Sequence, residues 1–291
     1  MNAPTLADTR TRSAVATARE NPLLLAGALM ALAIVLVAAL GPLIVPYPQD
    51  AGTAMHPAVI LLAPSWQHKF GTDMFGRDIF TRVVYGARWS LGIAIVVLAI
   101  SVAIGVPLGI VAGYFGGLVD NVIMRVTDVF LAFPALLLAL AFAAVLGPST
   151  RNAVLAISIA WWPWYARLAR GQAASVAGRG FIEGCRALGV GRFRMLWRHV
   201  LPNSLTPIIV SVSNDAGGVI LTAAALSFLG LGAQDPTPEW GLMVSQGQSF
   251  FATQWWLVTF PGLAIVLTAM VFNLLGDGLR EVLDPRRVVG R

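Results

Sequence analysis

Residues 181–203 read FIEGCRALGVGRFRMLWRHVLPN, and this stretch decides how the rest of the chain must fold. Five arginines lie between Arg179 and Arg198, whereas the apolar runs on either side carry almost no basic charge. A segment so rich in arginine is too costly to place in hydrocarbon, so it must face water. It therefore predicts a basic, water-exposed connection between membrane-embedded parts of the chain, available to a partner at the membrane surface.

The sequence around this segment has the composition of a membrane protein. Of its 291 residues, 57% are hydrophobic and only 12% are charged, about half the charge of an average soluble domain. The first apolar run, Leu23–Val45, is long enough to cross the roughly 30 Å hydrocarbon core at about 1.5 Å per residue. It ends in a proline-rich sequence rather than a cleavage site, so we expect a retained span.

Five later uncharged runs predict further spans: Leu91–Ala112, Val129–Leu146, Asn152–Ala166, Ala216–Gln234 and Trp255–Leu275. The run Asn152–Ala166 is short and contains Pro163, so its length alone does not predict a span. With six spans and a cytoplasmic N-terminus, 15 of the 20 basic residues lie in the cytoplasm, as the positive-inside bias requires. We therefore predict an all-α polytopic membrane protein with six transmembrane helices and both termini in the cytoplasm.

This topology divides the chain into a tail, a first span, an outer loop, a core and a second tail, at residues 1–21, 22–46, 47–88, 89–280 and 281–291. Residues 166–204 of the core are the cytoplasmic segment. In the outer loop, Asp78 is predicted to cap a short amphipathic helix with Arg82 and Arg88 on its polar face. The alternative is an interfacial helix that rests on the bilayer. His56 and His68 of this loop are expected to be solvated.

Two short helices are predicted within the cytoplasmic segment. Phe181, Cys185 and Leu188 fall on one face of the first, and Gly189 and Gly191 suit its C-terminal end, where φ is often positive. The second is predicted to end near a proline and to have one apolar face, made of Phe193, Leu196, Trp197 and Val200. The alternative is an ordinary amphipathic loop helix on the lipid headgroups.

The sequence lacks the usual signatures of catalysis. Its only lysine, Lys69, precedes Phe70, so there is no Walker A loop, and no metal-binding spacing occurs among its histidines. Ser227 does not lie in a nucleophile elbow. We expect no enzymatic activity, cofactor or metal in this chain. The net charge of +6 reflects basic cytoplasmic loops, so we expect no nucleic-acid partner.

An acidic residue stands about ten residues into the predicted fifth span. An ionisable group at this depth normally faces a water-filled cavity or a partner. Asp215 and its neighbour Asn214 are therefore candidates for lining a transport pathway. The alternative is a structural acid that is hydrogen-bonded or paired.

Several motifs resemble one known family. Glu183, Gly189 six positions later, and Leu201-Pro202 are similar to the EAA motif of the permease subunits of binding-protein-dependent ABC importers. RALG with RHVLPN and four longer stretches resemble the peptide/nickel subfamily, the C-type permeases of dipeptide and oligopeptide importers. These four are FGTDMFGRDIFTRVVYGARWSL, GYFGGLVDNVIMRVTDVFLAFPALLLAL, LSFLGLGAQDPTPEWG and FNLLGDGLREVLDPR. Gly184 and Cys185 replace two alanines of the motif, and Ala223 stands where many members have Glu.

The resemblance implies the type I ABC importer permease fold in a bacterial inner membrane. It implies a coupling helix at Phe181–Gly189 that docks on one of two cytoplasmic ATPase subunits, which bind ATP and Mg. Its site residues would be Phe181, Glu183, Gly184, Cys185, Ala187, Leu188, Gly189, Leu201 and Pro202. A homologous second permease would complete a heterodimer surrounded by membrane lipid. An extracytoplasmic substrate-binding protein would dock at residues 66–88 and 234–250.

Three alternatives remain open at this level. The same importer class could carry nickel, glutathione or another small solute instead of peptides. A secondary transporter driven by an ion gradient would use Asp215 as its coupling acid and would show inverted repeats. A membrane enzyme would need paired catalytic residues.

Overall fold

The computed structural model describes residues 22–283, which fold into helices and loops with one isolated bridge between Thr72 and Asp78. In chain order the α-helices are α1 Pro22–Ile44, α2 Ile79–Phe115, α3 Gly117–Leu131, α4 Ala135–Leu146, α5 Thr150–Ala177, α6 Gly180–Ala187, α7 Arg192–Met195, α8 Leu201–Phe228, α9 Trp240–Gly247 and α10 Trp256–Leu283. A π-helical turn, Leu196–Val200, joins α7 to α8, and short 3₁₀ turns occupy Pro48–Ala51, Pro57–Val59 and Gln248–Phe250. The predicted all-α fold is confirmed. The predicted tail 1–21 and residues 284–291 of the second tail lie outside the described residues.

The long apolar helices are fewer than the six predicted spans. Within residues 22–283, α1, α2, the continuous stretch 192–228 and α10 are long and apolar enough to cross a membrane. Helices α3 and α4 together make a fifth candidate, although they meet at an angle of 84°. Helix α5 has 28 residues but is less apolar than these. A count of six therefore stays a prediction that depends on α5.

Helix α5 packs closely against α2. Gly105, Gly109 and Gly113 of α2 form a row at every fourth position, and this row lies against α5. A methyl group on any of the three would lie within 2.4 Å of a backbone carbonyl oxygen of α5. Small residues allow helix backbones to approach this closely in membranes. Helix α5 contributes buried alanines to the same contact, including Ala166 and Ala169.

The predicted short helix of the outer loop is wrong as a separate element. The Asp78 carboxylate accepts a hydrogen bond from the Thr81 backbone N–H at 2.8 Å, so it caps a helix as predicted. That helix is α2, which continues without a break to Phe115, so the boundary at residue 88 falls inside it. Arg82 is only 1% exposed, which also excludes an interfacial helix with Arg82 on its polar face.

Arg88 has a structural role that its place on a polar face did not suggest. Pro42 lies inside α1 and has no N–H, so the Ala38 carbonyl lacks its usual helical donor. The Arg88 side chain donates to the carbonyl oxygens of Ala38 and Ala39 at 2.5 and 2.9 Å. This contact joins α1 to α2 and supplies the missing donor.

Two predicted spans also have different bounds. The run Val129–Leu146 is divided between α3 and α4, because Pro134 cannot donate the backbone hydrogen bond that would continue α3. The run Ala216–Gln234 stays helical only to Phe228, after which Gly230 has a φ of +81°.

Salt bridges hold α3 against α5. Arg167 and Arg170 of α5 form them with acids of α3.

Candidate functional site

The helix predicted at Phe181–Gly189 is present as α6, Gly180–Ala187, and its C-terminal end has the expected geometry. Gly189 has a φ of +78°, as predicted from its place after the helix. The Gly189 N–H donates to the Arg186 carbonyl at 3.0 Å, and the Val190 N–H donates to Cys185 at 3.1 Å. These bonds satisfy carbonyls at the end of the helix and turn the chain sharply. The prediction for Gly191 is wrong, since its φ of −62° places it at the N-cap of α7.

One face of α6 attaches the helix to the rest of the chain. Ile182 is fully buried, and the half-buried Cys185 packs against the core one turn later. The Arg186 guanidinium lies 5.3 Å from the ring centre of Tyr114, at the end of α2. Phe181, Cys185 and Leu188 have the spacing of one helix face, but only Phe181 and Leu188 are exposed, because Cys185 packs against the core. Ile182 was not singled out from the sequence, although its i,i+3 spacing with Cys185 indicates that the two side chains lie on one face of the helix.

The opposite face of α6 is open. Its exposed residues are Phe181, Glu183, Gly184, Ala187 and Leu188. Leu188 is 86% exposed and Phe193, just beyond the turn, is 75% exposed. A methyl group placed on Gly184 would meet no atom within 4 Å. Large apolar side chains beside small residues and a carboxylate make a surface suited to close contact with another protein.

Leu201 and Pro202 lie apart from this face, at the start of α8. The predicted end of the helix near Pro202 is wrong, because the chain remains helical from α7 through the π turn into α8. The Leu201 N–H donates to the carbonyl of Leu196, five residues earlier. This wider turn accommodates a proline whose N–H is missing. Leu201 is half-buried and Pro202 is exposed.

Asp215 is hydrogen-bonded to a neighbouring helix. The Tyr165 hydroxyl of α5 donates to Asp215 Oδ2 of α8 at 2.7 Å. Tyr165 is fully buried, whereas Asp215 is only half-buried. Tyr165 ends the aromatic run WWPWY at residues 161–165, and nothing in that run indicated this pairing. Asp215 is thus a hydrogen-bonded acid whose carboxyl group remains partly accessible.

Asn214 faces in a different direction. Its side-chain oxygen is buried and has no hydrogen-bond partner among residues 22–283. It lies against Gly276 of α10, where any added side chain would collide with it. The two candidate pathway residues therefore contact different helices, and only Asp215 is joined to α5.

The outer side of the molecule contains a network of buried charges that sequence reasoning missed. Arg77 is 1% exposed, and its Nε donates to Asp73 at 2.7 Å while its Nη1 lies 3.2 Å from Asp235. Arg82 donates to the Asp50 carbonyl at 3.2 Å and lies 3.7 Å from Asp73. The network joins residues 50–82 to the loop that follows α8, and it includes residues of both predicted docking segments, 66–88 and 234–250.

The histidines of the outer loop belong to the same network. His68 Nδ1 lies 2.9 Å from Asp78 Oδ2, and His68 is 8% exposed, so its predicted solvation is wrong. His56 Nε2 lies 2.8 Å from Asp50, although its side chain remains partly exposed. His68 thus contacts the acid that caps α2, and His56 contacts Asp50, which accepts a hydrogen bond from the Asp78 N–H at 2.8 Å.

Glu239 caps α9 from a buried position. Its carboxylate accepts hydrogen bonds from the Gly241 and Leu242 N–H groups at 3.0 and 2.9 Å. Burial raises the pKa of Glu239, and these N–H groups counteract part of that rise. Ala223, where the resemblance expects Glu, is buried in α8. The buried acid of this region is therefore supplied by the loop before α9.

No group of three or more His, Cys, Asp or Glu side chains is arranged to hold a metal ion within residues 22–283.

An exposed short helix, a bundle of apolar helices and a network of buried charges are features of a transporter membrane subunit. The chain belongs to the family of binding-protein-dependent transport system inner membrane components, whose model matches residues 105–289. Residues 9–64 match the N-terminal transmembrane domain of oligopeptide transport permease C.

Its relatives are permease proteins of named transport systems. The chain is 43% identical over 275 residues to the dipeptide transport system permease protein DppC of Alkalihalophilus pseudofirmus, covering 94% of this chain and 90% of the relative. It is 48% identical over 226 residues to the probable D,D-dipeptide transport system permease protein DdpC of Escherichia coli, covering 78% and 76%. It is 44% identical over 223 residues to the glutathione transport system permease protein GsiD of Pectobacterium atrosepticum, covering 77% and 74%.

The fold is similar to that of a solved transporter. A chain of the MetNI methionine ABC transporter, in an inward-facing conformation, matches with a TM-score of 0.56 and 17% identity. The match covers 73% of this chain and 98% of that one. It supports the permease fold of the chain.

Proposed function

We propose that this chain is the permease subunit of an ATP-driven importer of dipeptides or oligopeptides, and that it forms half of the translocation pathway. The open face of α6 is the observation that carries this proposal. It presents exposed apolar and small residues on a helix anchored by Ile182, which is what a docking element requires. The dipeptide permeases among its relatives support the substrate class.

The partner of α6 would be one of two cytoplasmic ATPase subunits. These subunits would bind ATP and Mg, while this chain carries no catalytic site of its own. Closure of the ATPase pair would move α6, and the π turn would carry that movement into α8 and Asp215. Asp215 and Asn214 are the proposed pathway residues of this half.

Further subunits complete the proposed complex. A homologous second permease would form the other half of the pathway, and an extracytoplasmic binding protein would dock near residues 66–88 and 234–250. The complex would lie in a bacterial inner membrane, with six spans per permease and both termini of this chain in the cytoplasm. The basic residues of the cytoplasmic segment support this orientation.

Cross-linking tests the docking of α6. In a Cys185→Ser background, Ala187→Cys or Gly184→Cys should cross-link to a cysteine in the ATPase subunit, because both positions are exposed. Trp66→Cys is the matched control, since Trp66 is 99% exposed in the outer loop. Equal cross-linking from position 66, or free labelling of position 187 that ignores the ATPase, would contradict the proposed docking.

Substrate class needs a separate experiment. The complete complex, reconstituted with each candidate binding protein, should hydrolyse ATP faster when that protein carries a dipeptide or oligopeptide. Glutathione is the second candidate, which the relative GsiD favours. Stimulation by nickel chelates or glutathione alone would replace the peptide assignment and leave the importer class intact. Uptake driven by an ion gradient without ATP would overturn the importer class.

A further inference from the structure

An apolar groove lies away from both the open face of α6 and Asp215. It has a volume of about 240 Å³ and runs between α2 and the π turn. Its walls include Val102, Val106 and Ile110 of α2 and Leu196, Trp197 and Leu201 around the turn. Apolar cavities of about 150 Å³ already stay free of water and accept apolar ligands. The groove is therefore suited to a hydrocarbon chain rather than to water or a charged peptide.

Two arginines lie close in sequence to Trp197, which lines the groove. Arg198 follows Trp197 directly, and Arg194 precedes Trp197 by about one helical turn. Both arginines are exposed, and neither forms a salt bridge within the described part of the chain. In contrast, Arg167 and Arg170 of α5 are paired with acids of α3. The two positive charges at the turn are free to bind an anion.

We propose that this groove binds an anionic phospholipid, with an acyl chain against α2 and the phosphate near Arg194 and Arg198. The two features complement the two parts of such a lipid, since basic residues beside a membrane surface attract anionic headgroups. The leaflet is the cytoplasmic one under the topology proposed above. The site itself depends only on the groove and the two arginines.

The location of the groove gives the lipid a role. The π turn connects α7 to α8, and α8 carries Asp215. A chain packed against Leu196, Trp197 and Leu201 would support this joint, where the helical hydrogen bonding is irregular. We expect transport by the complete complex to increase when anionic lipid is present.

The first experiment measures lipid retention. The complete complex, purified in detergent and exposed to vesicles of phosphatidylcholine with phosphatidylglycerol, should retain phosphatidylglycerol when measured by native mass spectrometry. The double variant Arg194→Gln with Arg198→Gln should bind it about 30-fold more weakly, since each arginine near an anionic surface contributes about fivefold. Arg125→Gln is the matched control, because Arg125 is exposed on α3 and unpaired within residues 22–283.

The second experiment fills the groove. Ala103 lines it and is exposed, so Ala103→Trp should displace the acyl chain without disturbing the core. Ile104→Trp is the control on a neighbouring exposed position that does not line the groove. Transport in proteoliposomes should lose its stimulation by phosphatidylglycerol in Ala103→Trp and keep it in Ile104→Trp.

Several results would overturn the proposal. Retention of phosphatidylcholine as strong as that of phosphatidylglycerol would show that charge is not recognised. Equal retention by wild type and the double arginine variant, or equal loss in Arg125→Gln, would exclude the two arginines as the headgroup site. A photoreactive residue at position 103 that cross-links to the second permease instead of lipid would assign the groove to a subunit interface. Failure of peptide transport with lipid retention intact would leave this site standing.

Discussion

The two sides of this molecule, outer and cytoplasmic in the proposed topology, differ in how their charges are paired. On the outer side, Arg77 and Arg82 are buried and their partners are acids or carbonyls of the same chain. On the cytoplasmic side, Glu183, Arg194 and Arg198 are exposed, and none forms a salt bridge within residues 22–283. The charges of the outer network are thus paired within one chain, whereas the charged side chains of α6 and the turn after it are left open to partners.

This difference shows where the chain resists change and where it depends on assembly. A buried charge pair costs free energy in desolvation, and removing one partner leaves the other unpaired. The outer network should therefore tolerate substitutions poorly even when the protein is alone. Changes on α6 should leave the isolated chain intact and affect only the complex.

The largest expected effect comes from Arg77→Gln. This substitution removes the nearer of the two cations beside the largely buried Asp73, and breaking a buried pair costs about 3–5 kcal/mol. We expect loss of the folded outer domain, measured as a lower thermal unfolding midpoint and poor recovery from detergent extraction. Arg151→Gln is the control, since Arg151 is exposed at the start of α5. Wild-type stability of Arg77→Gln would mean that the network is not the framework of the outer side.

The next effect tests the cytoplasmic side with two glycines. Gly189 has a φ of +78°, which a β-branched residue adopts only with a strain of about 1–3 kcal/mol. Gly189→Val should therefore distort the end of α6 and abolish peptide uptake while membrane insertion stays normal. Gly191→Val should be tolerated, because Gly191 has a φ of −62° and space for a side chain. Normal uptake by Gly189→Val, measured in proteoliposomes, would count against α6 as the coupling element.

A smaller effect is expected in the middle of the bundle, between the two sides. Tyr165→Phe removes the hydrogen bond to Asp215, which is worth about 0.5–1.5 kcal/mol and predicts a two- to tenfold loss of uptake. Asp215→Asn keeps an acceptor for Tyr165 but removes the charge. A lower unfolding midpoint in Tyr165→Phe together with unchanged uptake and substrate preference in Asp215→Asn would remove Asp215 from the pathway.

The smallest expected effect is a change in how the stability of the protein depends on pH, caused by Glu239. Because burial raises the folded-state pKa of Glu239, its contribution favours the folded state at low pH and is lost as pH rises from about 4.3 toward the raised value. Glu239→Gln should remove this contribution to the pH dependence of the free energy of unfolding. Its side-chain amide keeps one oxygen that can accept a hydrogen bond at the N-cap of α9. Unfolding midpoints of the two proteins should run in parallel below about pH 4.3 and diverge as pH rises above it, because only the wild type loses this contribution. Curves that stay parallel above this pH would contradict the assigned direction.

The sequence predicted the helical class, the first span and the turn at Gly189 because each depends on local chemistry. An uncharged run of 23 residues and a glycine after a short helix need no knowledge of distant residues. It also gave the family, through motifs that follow one another along the chain. The coupling and pathway roles stay predictions that the experiments above address.

The remainder depended on contacts between distant residues. Arg77 and Asp235 are 158 positions apart, and nothing in their separate surroundings predicts that they meet. His68 was expected to be solvated because it lies in the outer loop. Its partner Asp78 is 10 positions away, and the sequence did not indicate that the two meet. The predicted end of the helix near Pro202 is wrong because the π turn accommodates a residue that has no N–H. Tyr165 was hidden within an aromatic run whose composition also suits a membrane surface.

The glycine row of α2 has a mechanical consequence. Helix backbones in contact over two turns cannot slide or rotate against each other without steric clashes. Helices α2 and α5 should therefore move together as one rigid unit. Any change of shape during transport must then be taken up elsewhere. Two places within residues 22–283 are suited to this change of shape: the bend between α3 and α4 and the π turn before Leu201.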